Sequence, residues 1–132
     1  MKFNCKKIQI DDEDIGYTLT FSEHKTDYEK EMNLSPEELM NVQGKYILLQ
    51  RMYAEDEFDD DFYYFEPSDF DKACALEDFV INLFPTRFEL LLNGNLYQVE
   101  FNADDQKFEQ LKLALQRITN GTGTLIIHHN GD

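Results

Sequence analysis

Asn93-Gly94 separates two strand-favouring runs, Phe88 to Leu92 and Asn95 to Phe101. An Asn-Gly pair in that setting makes a two-residue turn, and such a turn fixes the register of the strands it joins. Leu91 then lies opposite Leu96, Leu90 opposite Tyr97, Glu89 opposite Gln98, Phe88 opposite Val99 and Arg87 opposite Glu100. Side chains alternate across a strand, so Phe88, Leu90, Tyr97 and Val99 share one face. Arg87, Glu89, Gln98 and Glu100 share the other, where the Arg87–Glu100 pair adds about 0.2–1 kcal/mol. Leu91 and Leu96 remain as a small apolar spot on the polar side. Any fold of this chain must bury one face of the hairpin and leave the other wet.

The hairpin runs straight into a helix. Asn102 is the expected cap, with Asp104 and Asp105 in the first turn, where the helix dipole favours acids. Phe108, Leu111, Leu115 and Ile118 recur as one apolar stripe, and Asn120-Gly121 stops the helix, giving an element over about residues 104–119. Upstream, residues 3–10 read as a first strand of mixed facing. Tyr17, Leu19 and Phe21 alternate with Thr18 and Thr20 as a strand with one wet face, and Asp11 to Asp14 form a charged hairpin loop before it. Ser35-Pro36-Glu37-Glu38 is the start of a second, short helix, over before Gly44. Lys45 to Tyr53 is nearly continuous in apolar residues, which predicts a central strand covered on both faces. Asp78 to Phe84 is a further strand, stopped or bent by Pro85, and Leu125-Ile126-Ile127 a last short one. With no repeat and no linker, residues 1–132 make one α+β domain: an antiparallel sheet covered on one face by one main amphipathic helix.

Charge narrows the functions open to such a domain. The 27 acids outnumber 12 basic residues for a net −15, and the excess is uneven: residues 11–38 carry −8 and the nineteen residues 54–72 carry another −8. This field repels nucleic-acid phosphates and an anionic membrane surface. It suits a basic protein, a cation or plain solubility. Residues 1–7 contain no apolar run of signal-peptide length and no stretch approaches a membrane span, so the expected address is cytoplasmic. Cys5 and Cys74 have neither metal-like nor redox-like spacing and read as buried free thiols.

The residues offer little for catalysis or metal binding. His128 and His129 are adjacent, so in a strand they point to opposite faces, and His24 stands alone in a polar loop. Glu55 to Asp61 lacks the glycine and the spacing of a calcium loop. Nothing matches a nucleophile elbow or a phosphate-cradling loop. The expectation is a protein that is not an enzyme, with no cofactor and no metal.

What remains is the acid–aromatic run from Glu55 to Asp71. Acids give long-range attraction to a basic partner, and tyrosine and phenylalanine give the desolvated anchors of an interface. Glu55, Asp56, Glu57, Asp59, Asp60, Asp61, Tyr63, Tyr64, Asp69 and Asp71 are therefore the expected partner-binding residues.

The sequence Tyr46-Ile47-Leu48-Leu49-Gln50-Arg51, the acid loop, Phe62-Tyr63-Tyr64-Phe65-Glu66, and the helix Asp104 to Ile118 with the strands before it resemble the immunity protein 10 family of bacterial polymorphic-toxin systems. The resemblance covers residues 45–118. Between Pro67 and Leu76 the chain has Ser68-Asp69-Phe70-Asp71 where that family has a glycine-rich turn. The resemblance implies an inhibitor that binds a secreted toxin domain inside the cell; the acidic charge points to a basic target, such as a nuclease, whose surface it would occlude. An acidic housekeeping or structural interaction protein is the alternative, with weak homodimerisation through the Leu91/Leu96 spot or a free sheet edge.

Overall fold

The computed structural model describes residues 1–23, 33, 35–38 and 44–129. Among these residues, ten strands divide between two five-stranded sheets. The first holds, in spatial order, β1 (Lys2–Asn4), β9 (Asn95–Glu100), β8 (Arg87–Leu92), β7 (Val80–Phe84) and β10 (Thr124–Ile127). The second holds β2 (Lys7–Glu13), β3 (Gly16–Ser22), β4 (Tyr46–Met52), β5 (Phe62–Pro67) and β6 (Cys74–Ala75). One main helix, α1 (Asp105–Thr119), a 3-10 turn at Phe70–Lys72 and the helical residues 36–38 complete the described elements. The class is α+β with one main helix, but its strands form two sheets rather than one. Both outer pairings of the first sheet, β1 with β9 and β10 with β7, are parallel.

The division begins inside the run expected to be a single first strand. The Cys5 amide donates to the Glu100 carbonyl at 2.7 Å and the next amide, Lys6, to the Ser22 carbonyl at 2.9 Å. Two successive peptide units thus serve two sheets, and the chain changes sheet between them. The acids after it are in a strand, not a loop. Asp11, Asp12 and Glu13 pair with Thr18, Tyr17 and Gly16, which leaves only Asp14 and Ile15 for the turn. Gly16 is where the backbones crowd: a Cβ there would lie 2.4 Å from the Arg51 carbonyl oxygen.

The Asn93-Gly94 hairpin keeps every pairing expected of a two-residue turn, from Leu91 opposite Leu96 to Arg87 opposite Glu100. Phe88, Leu90, Tyr97 and Val99 are buried, and Leu91 and Leu96 are about half exposed on the outer side. Opposition in register does not produce the Arg87–Glu100 ion pair, however. Arg87 turns along its own strand to Glu89 at 2.8 Å, and Glu100 meets Lys2 of β1 at 3.4 Å.

The inner faces of the two sheets meet through aromatic rings. Phe21 lies 4.8 Å from Phe88 and 6.0 Å from Phe101, and Phe65 lies 4.8 Å from Tyr97 (ring centroids). The helix lies against β3, β4 and β10. Leu111, Ala114, Leu115 and Ile118 are fully buried under it, and Phe108 packs partly buried at its edge. Its N-cap is Asp104, whose side chain accepts from the Lys107 amide at 2.7 Å, and not Asn102. Asn120 ends the helix in the left-handed conformation (φ 47°).

β4 is central, as expected, but only its inner residues Ile47 and Leu49 are fully buried. Tyr46, Leu48 and Gln50 face outward and remain half-buried. The helix start at Ser35 has its capping box: the Glu38 amide donates to the Ser35 hydroxyl, which donates to the Glu38 carboxylate, both at 3.2 Å. The residues that would continue that helix, Leu39, Met40 and Val42, lie outside the described residues, as does His24. Cys5 and Cys74 are free thiols, half-buried rather than buried.

The inter-sheet rings set a stability test. Phe21→Ala removes a fully buried ring and is expected to cost about 3–5 kcal/mol in urea unfolding, whereas Leu91→Ala on the outer face stays within about 0.5 kcal/mol.

Candidate partner-binding face

Arg51 organises the residues between β4 and β5. It stands on the inner side of β4, in register with Tyr17 on one neighbour and Tyr63 on the other. Its Nε and Nη2 both reach Asp61 Oδ2, at 2.8 and 2.7 Å. Its Nη1 donates to the carbonyl of Arg117 in the last turn of α1 at 2.8 Å, where the helix dipole favours a cation. The second Asp61 oxygen accepts from the Ala54 amide at 2.9 Å. That amide bond and the Arg51 hydrogen bond hold the Asp61 carboxyl below its ordinary range. One guanidinium thus closes the β4–β5 loop at its base and ties it to the helix. Arg117 extends the connection to Asp12 of β2 at 3.2 Å.

These contacts sort the residues expected to meet a partner. Asp61 is engaged within the molecule. Tyr63 lies on the inner side of β5, packed against the core, with its hydroxyl accepting from Asn120 Nδ2 at 3.3 Å. Tyr64, the next residue, faces out, so the two tyrosines serve opposite faces. Glu55, Asp56, Glu57, Asp59 and Asp60 are all exposed. Asp56 shapes the loop they ride on, accepting from the Phe58 amide at 2.8 Å. Phe58 itself is 88% exposed. Asp69 and Asp71 are exposed beside Phe70, which is 65% exposed on the 3-10 turn, and Asp69 is within 3.7 Å of Lys72.

Beside the loop spreads the outer face of the second sheet. Tyr46, Leu48, Gln50 and Met52 of β4 share it with Phe62, Tyr64 and Glu66 of β5, in the register Met52–Phe62, Gln50–Tyr64 and Leu48–Glu66. Thr18 and Thr20 continue it onto β3, with Gln50 donating to Thr18 Oγ1 at 3.1 Å. The Tyr46 hydroxyl donates to Glu66 Oε2 at 2.7 Å and the Tyr64 hydroxyl to Glu66 Oε1 at 2.9 Å. Burial, and then the Glu66 carboxylate, push the Tyr46 phenol up to about 12. The hydrogen bond to Glu66, followed by burial, raises Tyr64.

Tyr46, Phe58, Phe62 and Glu66 were not among the residues singled out from sequence. The signal for two of them, Phe62 and Glu66, is the period of two in Phe62-Tyr63-Tyr64-Phe65-Glu66-Pro67. It places Phe62, Tyr64 and Glu66 on one face once Phe65 is assigned to the core.

Among the described residues, no group of three or more His, Cys, Asp or Glu side chains is arranged to hold a metal ion. His128 is engaged with Asn82 at 2.9 Å and stacks on Phe84 at 4.2 Å. No described helix is long and apolar enough to cross a membrane. Compared with protein-family models, curated proteins and solved structures, the chain has no match.

Two titrations test this arrangement. Tyr46 has a folded pKa above its ordinary 10, so its contribution to stability is complete below pH 10 and is lost as pH rises toward 12. Thermal melts from pH 9 to 11.5 should show a steep fall for the wild type and a shallower one for Tyr46→Phe. Asp61 has the opposite sign, its contribution being present above the ordinary carboxylate range and lost in acid. Asp61→Asn should lower the melting temperature at pH 7 more than Asp59→Asn or Asp60→Asn does, and its deficit should shrink as pH falls below 4.

Proposed function

We propose that this chain is a protein-binding inhibitor of the immunity type, which neutralises a basic toxin domain by covering its surface. The observation that carries the reading is the pairing of exposed acids with exposed aromatic rings. Phe58 stands out from the middle of the Glu55–Asp60 loop, and Phe70 stands between Asp69 and Asp71. Soluble proteins gain nothing in solubility from a phenylalanine left 88% exposed. At an interface the same ring is an anchor, and the surrounding carboxylates guide a basic partner onto it.

The division of labour follows from range. Charge acts across about a Debye length, some 8 Å at physiological ionic strength, and governs encounter. Ring burial acts only on contact and governs residence. A toxin domain that acts on nucleic acid needs a basic surface to hold phosphate, and an acidic protein bound there competes with the phosphate directly. The role needs no catalytic residue and no cofactor in this chain, and it suits a cytoplasmic protein. The second reading, an acidic interaction or structural protein that self-associates weakly, is favoured by the half-exposed Leu91 and Leu96 side by side on the outer face of the first sheet.

Immobilised protein, exposed to lysate at low salt and eluted in salt steps, should retain one basic domain to late elution. With that domain in hand, the double variant Asp59→Lys, Asp60→Lys should slow association by about 10-fold or more at low salt while changing dissociation little. Phe58→Ala should do the reverse. A chain that retains no basic partner and sediments as a concentration-dependent dimer through Leu91 and Leu96 would support the second reading instead.

A further inference from the structure

Glu66 is placed unlike the comparable carboxylate of the other sheet. Glu89, on the outer face of the first sheet, has Arg87 at 2.8 Å and accepts from Gln98 at 3.2 Å. Glu66, on the outer face of the second, has the two phenols for partners, and among the described residues no Lys or Arg lies within ion-pair distance of it. Its charge is therefore oriented by the fold and not neutralised by it.

We propose that this outer face seats an arginine side chain of the basic partner, with the guanidinium on the Glu66 carboxylate between Tyr46 and Tyr64. The inference rests on the inhibitor reading for the partner's charge, and on the following chemistry for its side chain. Each hydroxyl has one proton and donates it to Glu66, so toward an incoming group both phenol oxygens offer lone pairs only. Each carboxylate oxygen accepts one hydroxyl and keeps a further lone pair. Four oxygens from two strands thus form a set of acceptors with no donor among them. A guanidinium brings five N–H donors in one plane, and its fork fits a carboxylate with two parallel bonds. An ammonium brings three donors around a point and matches the set less well.

The surroundings favour the planar cation as well. The Phe62 and Tyr64 rings are stacked 6.2 Å apart at 23°, and Phe62 is 54% exposed. Exposed aromatic carbon thus adjoins the Glu66 carboxylate on the same face of β5, and a guanidinium can pack on an aromatic ring. A metal ion has much less to hold: one carboxylate and two protonated phenols.

The clamp can be read without the partner, by following the protein's amide NMR signals during titration with end-blocked Gly-Arg-Gly and, separately, Gly-Lys-Gly. The arginine peptide is expected to shift signals from Tyr46, Tyr64 and Glu66 and to bind about fivefold more tightly than the lysine peptide. Glu66→Gln, which keeps shape and loses charge, should weaken it about fivefold or more, while Asp59→Asn with Asp60→Asn changes it less than about twofold. Should Glu66→Gln not fold, Phe62→Ala at its exposed position carries the same test, with a loss of about threefold. Equal binding of the two peptides, shifts confined to residues 55–60, or indifference to both substitutions would overturn the clamp. A basic domain captured equally well by wild type and Glu66→Gln also overturns it and leaves the inhibitor reading standing. Arginine-selective binding at Glu66 in a protein that captures no basic domain upholds the clamp and removes the inhibitor reading alone.

Discussion

The contact of Phe21 with Phe88 and Phe101 is the interaction on which the other placements depend. Burying Phe21 between sheets commits Tyr17 and Leu19 to the same side, because a strand alternates strictly. Register then carries the assignment across the sheet: Ile47, Leu49 and Phe65 go in, and Tyr46, Gln50, Tyr64 and Glu66 go out. The outer face is thus a consequence of the core, and slipping β5 by one residue would exchange Tyr63 for Tyr64 and expose Phe65. The sheet-to-sheet contact that stabilises the protein also decides which tyrosines meet solvent.

Six of the described cations are paired within the fold. Arg51, Arg87, Arg117, Lys2, Lys72 and Lys112 all lie within 4 Å of a carboxylate of the same molecule. Acids in excess of these pairs crowd the β4–β5 loop and the turn after β5, and residues 11–38 carry an equal excess. Exposed pairs of this kind contribute about 0–1 kcal/mol each. Arg51 differs from them because it joins a carboxylate that also accepts from a loop amide to a helix end, with its side chain only 19% exposed. A loop of like charges repels itself, and this anchor holds its two ends together at the base.

Local patterns were legible where a single principle decides. The two-residue turn fixed all pairings of β8 with β9, the alternation of β3 set its buried face, and the α1 stripe set its core contacts. What escaped depended on chain segments far apart. The change of sheet at Cys5 and Lys6 depends on Glu100 and Ser22, both acceptors invisible from residues 3–10. Asp104 displaced Asn102 as cap because both residue types cap well and tertiary packing sets where the first turn begins. The exposed acids of the candidate face were readable from composition. The internal roles of Asp61 and Tyr63 were not, since they require Arg51 and Asn120 to be brought alongside. Arg87 chose a neighbour two positions along its strand over the residue facing it, a choice that register alone does not decide.

The two parallel pairings at the edges of the first sheet have a kinetic consequence. Lys2 pairs with Gln98, ninety-six positions away, and Thr124 with Val80. During synthesis β1 emerges before any strand of its sheet, and its partner β9 is among the last elements made. The second sheet is nearly free of this delay, because its neighbours follow one another along the chain. Loop-closure entropy slows such distant pairings, and folds rich in them reach the native state in milliseconds to seconds. The strand pairings of the acid-bearing sheet can therefore begin while the other half of the core is still being translated, its inner face closing when Phe88 and Phe101 arrive, and β1 waits longest of all to find its place.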